Sequence, residues 1–297
     1  MRKLLKVTAI VFGVVVLVAA SVLAIAWWKT QQALARSYTT ADPPLAIAHD
    51  AATLARGAHL FATRGCAECH GADGSGKLAF DAGPVIHLVA PNITAGGVVR
   101  GMSGDQIAAA IRHGVKADGH PMVFMPVGDY HELSDGDTAA LVAYVQSLPT
   151  SANDPGPTRI GPLGYVLYLF GRFPLLPAES IDHAPRVRVA PTPAVSAEYG
   201  KYLAQACTGC HGADLSGQHV PGTPPSFPDA ADLTPTHLSA WTNADFRRVL
   251  RTGKRPDGSA VNDFMPWRSV GKLDDVEIDA LWAYIHSLPS ARKARMR

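Results

Sequence analysis

Apolar positions along this chain follow a helical period in most segments and form an unbroken run near the start. Residues 7–28 carry no charge and are rich in Val, Ala, Leu and Ile, matching the roughly 20 residues that cross the hydrocarbon core of a bilayer. Far downstream, Leu141, Tyr144, Val145 and Leu148 fall at i, i+3, i+4 and i+7, so a helix there buries one apolar face. Cap signals place further helices. Ser103 followed by Gln106 reads as a capping box and Gly114 as a left-handed stop, and Thr242 and Gly253 bracket a counterpart. The last helices start at Ser134 and Asp274, with Asp137 and Glu277 three residues on, and end before Pro149 and Pro289. Two first helices are expected over about 53–64 and 196–206. No stretch reads as a strand, so the expected fold class is all-α.

The chain repeats itself. His70-Gly71-Ala72-Asp73 matches His211-Gly212-Ala213-Asp214, Arg112-His113-Gly114 matches Arg251-Thr252-Gly253, and Met125-Pro126 matches Met265-Pro266 after a one-residue offset. Leu141-Val142-Ala143-Tyr144 lies on Leu281-Trp282-Ala283-Tyr284. This is a tandem duplication of a unit of about 100 residues. The expected division is 1–36 as membrane anchor and flanks, 37–49 as stalk, 50–149 as the first unit, 150–196 as linker and 197–297 as the second unit. The linker holds eight prolines and an apolar segment, 164–176, that is too short to cross a bilayer. It either packs between the units or docks on a membrane partner.

Both units contain Cys-x-x-Cys-His, as Cys66-Ala67-Glu68-Cys69-His70 and Cys207-Thr208-Gly209-Cys210-His211, and these use every cysteine in the chain. The pentapeptide is the attachment signature of c-type haem: two thiols add across the porphyrin vinyl groups and the imidazole binds the iron. Structural zinc needs knuckles about 15–20 residues apart, and these lie far further. A thioredoxin-like pair needs no histidine behind it, and disulfides give no reason for one. The expectation is two covalent haems c, through Cys66, Cys69, Cys207 and Cys210, with His70 and His211 as iron ligands.

The order of helices around each motif resembles the class I cytochrome c fold. Pro91-Asn92-Ile93-Thr94, the run from Gly104-Asp105-Gln106-Ile107 to Arg112-His113-Gly114-Val115, and Met125-Pro126 are similar to repeats in cytochrome subunits of bacterial membrane-bound alcohol and gluconate dehydrogenases. Those subunits carry three haem domains where two motifs occur here. The safer description is therefore a membrane-anchored dihaem cytochrome with two tandem class I domains behind an N-terminal transmembrane helix.

For the sixth iron position Met125 and Met265 are the choices, each preceding a proline, with Met122 a rival in the first unit. A thioether raises the potential and suits a carrier, whereas a lone Met otherwise fills core. The loops near Pro84 and Pro225 are expected to offer the carbonyl that orients the histidine. His59, His87, His113, His120, His131, His219 and His237 are distal-ligand alternatives, read by default as surface or helix-end residues.

Charge adds compartment and partners. Net charge is +2, with five basic groups and no acid in residues 1–36, a net −4 in 50–149 and +1 in 197–297. Arg2, Lys3 and Lys6 precede the apolar run, so the positive-inside rule keeps the N-terminus cytoplasmic and exports the rest to the periplasmic side of the inner membrane. Cleavage near Ala24-Ile25-Ala26 is the alternative. No nucleic-acid footprint exists. The expected function is electron transfer between a membrane or periplasmic dehydrogenase or quinol donor and an oxidase or soluble cytochrome, with no catalytic residues. The alternative is a dihaem peroxidase, which needs one haem with an open distal side.

Overall fold

The computed structural model describes residues 1–289; the tail 290–297 of the expected second unit lies outside the described residues. Helix α1 (Arg2–Leu34) is long and apolar enough to cross a membrane, with a mean hydropathy of 2.9 over its best window. Its flanks from Leu4 to Val18 are exposed, whereas Ala26, Thr30 and Ala33 are buried near its C-terminal end. These small residues let α6 (Pro162–Leu169) pack closely against α1.

The first unit holds α2 (Ala51–Thr63), α3 (Cys66–His70), α4 (Gly104–His113) and α5 (Asp135–Ser147). The second holds α7 (Ala197–His211), α8 (Pro235–Leu238), α9 (Asn243–Thr252), α10 (Trp267–Val270) and α11 (Asp275–Ser287). The caps behave as the sequence requires. Ser103 and Gln106 form the reciprocal capping box, and Gly114 closes α4 at φ 63°. Thr242 with Asp245 and Gly253 at φ 67° do the same for α9. Asp274 and Glu277 cap α11. At α5 only Ser134 caps, because the Asp137 side chain is used elsewhere.

In each unit the first and last helices cross at a glycine. A Cβ on Gly57 would collide with the Ala140 carbonyl and the Tyr144 Cβ, and one on Gly200 would collide with the Ala280 carbonyl and the Tyr284 Cβ. Only glycine allows so close a backbone approach. This crossing sets Gly57 on Gly200, hence Arg56 on Tyr199 and His59 on Tyr202. Two cores result, one around Leu60, Phe61, Tyr130 and Leu141, the other around Tyr199, Leu203, Phe246, Ile278 and Leu281.

Contrary to the strand-free reading, a small antiparallel sheet joins β1 (Lys77–Asp81) and β2 (Ile86–Ala90) of the first unit to β3 (Arg159–Ile160) of the linker, in the order β1-β2-β3. The cause is local: Ile86-His87-Leu88-Val89-Ala90 is a short, largely buried apolar run that follows the turn at Ala82-Gly83-Pro84, where Gly83 has φ 56°. The linker does not fill the space between the two units alone. Phe173, Leu175 and Leu176 bury with Ala33, Ile86 and Leu88, fastening the end of α1 to the hairpin of the first unit.

Candidate functional site

Cys66, Cys69 and His70 lie on the short helix α3, and Cys207, Cys210 and His211 on the last turn of α7. Spacing i, i+3 places the two thiols of each pair on one helical face. All four cysteines are free. Burial pushes the Cys66 thiol up to about 12 and the Cys207 thiol to about 11. Immediately after each histidine a glycine ends the helix with the same positive-φ, extended backbone, Gly71 at φ 82° and Gly212 at φ 86°, both with ψ 157°.

Backbone bonds next to each histidine repeat in the loops that follow. Gly76 N–H donates to the His70 carbonyl and Gly217 N–H to that of His211. Ile93 N–H donates to Gly74 and Leu233 N–H to Leu215, so Leu215, at φ 60°, takes the strained position that Gly74 fills at φ 71°. This loop delivers a backbone carbonyl to each imidazole. His70 Nδ1 donates to Pro91 O at 2.9 Å and His211 Nδ1 to Ala231 O at 2.8 Å. The expectation that the loops at Pro84 and Pro225 serve this role is thereby corrected: the carbonyls come from some 20 residues beyond the histidine, where the chain folds back. A carbonyl only accepts, so each histidine carries its proton on Nδ1 and leaves Nε2 for a metal. Burial also lowers both imidazole pKa values, which keeps the rings neutral.

Met125 packs on the same hydrophobic cluster as Cys66, and Met265 on the same cluster as Cys207. Their loops correspond: Val127 N–H donates to Met125 O and Trp267 N–H to Met265 O, both at 2.7 Å. Met122 N–H donates to Gly114 O as Val261 N–H does to Gly253 O. Met122 therefore occupies the place of a valine in the second unit. Several of the other histidines have different partners. His59 bonds Glu277, His87 bonds Asp81, His113 bonds Asp42 and His183, His131 bonds the Arg112 carbonyl, and His219 bonds Asp229.

Each unit thus presents two thiols on one helical face, an imidazole nitrogen held ready for a metal, and a thioether on the apolar cluster of the first thiol, a donor set that fits haem bound through two thioethers with nitrogen and sulfur ligands. Comparison with known proteins decides the family, for the cytochrome c profile matches residues 54–149 and 197–289. The chain belongs to the cytochrome c family. It is 25% identical over 279 residues to the fructose dehydrogenase cytochrome subunit of Gluconobacter japonicus, an alignment that covers 84% of this chain and 55% of that protein. It is 26% identical over 261 residues to the Cbb3-type cytochrome c oxidase subunit CcoP of Rubrivivax gelatinosus, covering 88% of this chain and 62% of that protein. The chain therefore spans less than two thirds of the length of these relatives.

Sequence reasoning missed one cluster near these sites. Arg64, 8% exposed, donates Nη1–H to Leu203 O of the second unit, while its own carbonyl accepts from the Tyr130 hydroxyl. Asp129 lies against the Cys207–Cys210 turn, with Oδ1 2.8 Å from where a Cβ of Gly209 would sit, and burial raises its carboxyl to about 7 against the lowering pull of Arg64. The only sequence signal is an arginine two residues before Cys66, which without the fold reads as a surface charge.

Proposed function

We propose that this chain is a membrane-anchored dihaem cytochrome c that passes single electrons from a dehydrogenase or quinol donor to a downstream oxidase or soluble cytochrome. In this reading Cys66, Cys69, Cys207 and Cys210 would hold the haems through thioether links, His70 and His211 would bind iron through Nε2, and Met125 and Met265 would each supply a sulfur ligand. When bound, haem c supplies a one-electron iron couple. The protein's contribution is to hold the imidazole tautomer through Pro91 and Ala231, to bury the ligands and to limit solvent access.

The observation that carries the proposal is the duplicated histidine-to-carbonyl bond with a methionine packed on the same cluster as the first cysteine of the motif in both units. That equivalence favours transfer over the peroxidase alternative, in which the two sites would differ at the distal side. The apolar run 7–28 of α1, preceded by Arg2, Lys3 and Lys6, supports insertion in the cytoplasmic membrane with both units outside. The relatives' names, a dehydrogenase cytochrome subunit and an oxidase subunit, support redox proteins as partners on either side.

The test is expression with export and maturation machinery, followed by intact mass and near-infrared spectroscopy. Two haem additions and a sulfur-to-iron charge-transfer band from each ferric haem are expected. A high-spin haem with rapid peroxide turnover would overturn the reading in favour of the peroxidase.

A further inference from the structure

The two units meet through a quasi-two-fold exchange of carboxylates. Asp137 and Glu277 hold the same position, third in the last helix of their units. Arg56 of the first unit donates Nε–H to Asp137 Oδ1 at 2.8 Å and Nη2–H to Oδ2 at 2.9 Å, while its repeat counterpart Tyr199 donates to Glu277 at 3.4 Å within the second unit. One turn further on, the bonds cross. His59 Nε2 meets Glu277 Oε2 at 2.7 Å, and Tyr202, the counterpart of His59, donates its hydroxyl to Asp137 Oδ2 at 2.7 Å. Arg56 Nη1 also reaches Glu277 Oε1 at 3.1 Å, so a single guanidinium joins both acids. Contact of residue i with j, matched by j with i, is the pattern of an isologous interface, here closed within one chain.

These groups are not loose surface charges. Glu277 is 2% exposed and Asp137 7%, and a buried charge missing one partner is strongly destabilising. The geometry is therefore over-determined. The same seam continues to the haem motifs. Arg64 bonds the Leu203 carbonyl, Ser269 donates to Glu68 Oε1 at 2.7 Å, and Asp129 rests on Gly209. Glu68 lies inside the first pentapeptide and Gly209 inside the second, so both attachment turns border this seam.

We propose that Arg56, His59, Asp137, Tyr202 and Glu277 are positioning residues that hold the two haem sites in one fixed relation, so that electrons cross between them inside the chain through the Arg64–Asp129 seam. This rests on the dihaem reading above. No group is oxidised other than the two irons: one loses the electron that the other gains. The direction of flow between the two sites is left to the potentials.

The test uses the full chain in detergent, loaded with haem. Wild type should show a bisignate Soret circular-dichroism couplet, the signature of two haems at fixed distance and angle. In Arg56→Met/Glu277→Gln the couplet should fall by about twofold or more and electron equilibration in half-reduced protein should slow by about tenfold, as expected when fixed orientation is lost. The absorption and low-spin signature of each haem should stay unchanged, because neither residue touches a ligand. Tyr202→Phe and His59→Asn, which remove one crossed bond each, should move both readouts in the same direction by less, and they keep the test open if the double variant does not fold. An unaltered couplet and an unaltered internal rate in folded variants would overturn the proposal. Fewer than two haem masses in wild type would instead remove the dihaem reading itself.

Discussion

The Nδ1–H of His70 donates to the carbonyl oxygen of Pro91 at 2.9 Å. That carbonyl is aimed by a turn at Gly76, which has φ 82° and where a Cβ would stand 2.5 Å from Asn92 N and 2.6 Å from Pro91 C. Gly76→Ala should therefore push Pro91 away from the imidazole and destabilise the first unit by about 1–3 kcal/mol. Denaturant melts followed at the charge-transfer band of each haem would show the loss in the first unit alone.

Under the dihaem proposal covalent attachment should be independent in the two units, since each has its own complete motif. Cys66→Ala/Cys69→Ala should leave one haem mass per chain, and Cys207→Ala/Cys210→Ala likewise. Denatured intact mass reads this directly.

Much of this arrangement is legible in the sequence, for definite reasons. A capping box such as Ser103 with Gln106, a stop such as Gly114 and an i, i+4 stripe such as Leu141 with Val145 are local, and the duplication writes each of them twice. The sheet is not legible, because Lys77-Leu78-Ala79-Phe80-Asp81 is mostly exposed and β2 gains its other neighbour, Ile160, from the distant linker. The carbonyl partners of the haem histidines are hidden for the same reason: a backbone oxygen leaves no mark on residue type, so Pro91 and Ala231 look unrelated. The crossed carboxylates are hidden differently. His59 and Tyr202 do the same work with different side chains, so a comparison of the repeats shows no identity where function is shared.

Met122 and Met125 are separable by experiment. Met122 stands in the place of Val261, and Met125 in that of Met265. Met125→Leu should convert one haem to high spin and lower its reduction potential, as loss of a thioether ligand does. Met122→Leu should leave both charge-transfer bands intact and change stability by less than about 1.5 kcal/mol, as a volume-conserving swap does.

Acid should loosen the interface at Glu277. Burial alone would raise its carboxyl, but the His59 hydrogen bond and charge, the Asp274 N–H and Arg56 bring it from 4.5 down to about 2. A depressed folded value means that the unfolded chain binds the proton first. The stabilisation is thus present above about pH 4.5 and is lost as pH falls from there toward 2, a contribution on the order of 3 kcal/mol. Glu277→Gln should flatten that part of the acid-denaturation curve. A curve of unchanged steepness in the variant would count against the assigned role.

The stalk is held by a latch that only the first unit possesses. Asp42 accepts from His113 Nε2 at 3.0 Å, Arg188 Nη1 at 2.7 Å and the Arg186 backbone N–H at 3.2 Å, and it also faces Arg112 at 3.5 Å. Arg112 and His113 are 1% exposed and Arg188 is 6%. In the second unit Thr252 replaces His113 and the equivalent Arg251 is exposed, so no such pocket forms there among the described residues. One carboxylate thus ties the stalk to α4 and to the linker at once. Removing it in Asp42→Ala leaves the buried Arg188 guanidinium without a carboxylate, while Arg112 keeps Asp135 at 2.7 Å, with a cost of about 3–5 kcal/mol. Because the stalk and residues 182–188 contribute little apolar core, the structure should relieve the unpaired charge of Arg188 by releasing them rather than by unfolding the unit. Limited proteolysis should then cut near residues 37–49 and 182–188 in the variant and spare both sites in wild type, while both haem spectra stay unchanged. Protection equal to wild type at both segments would show that the stalk is held by other contacts.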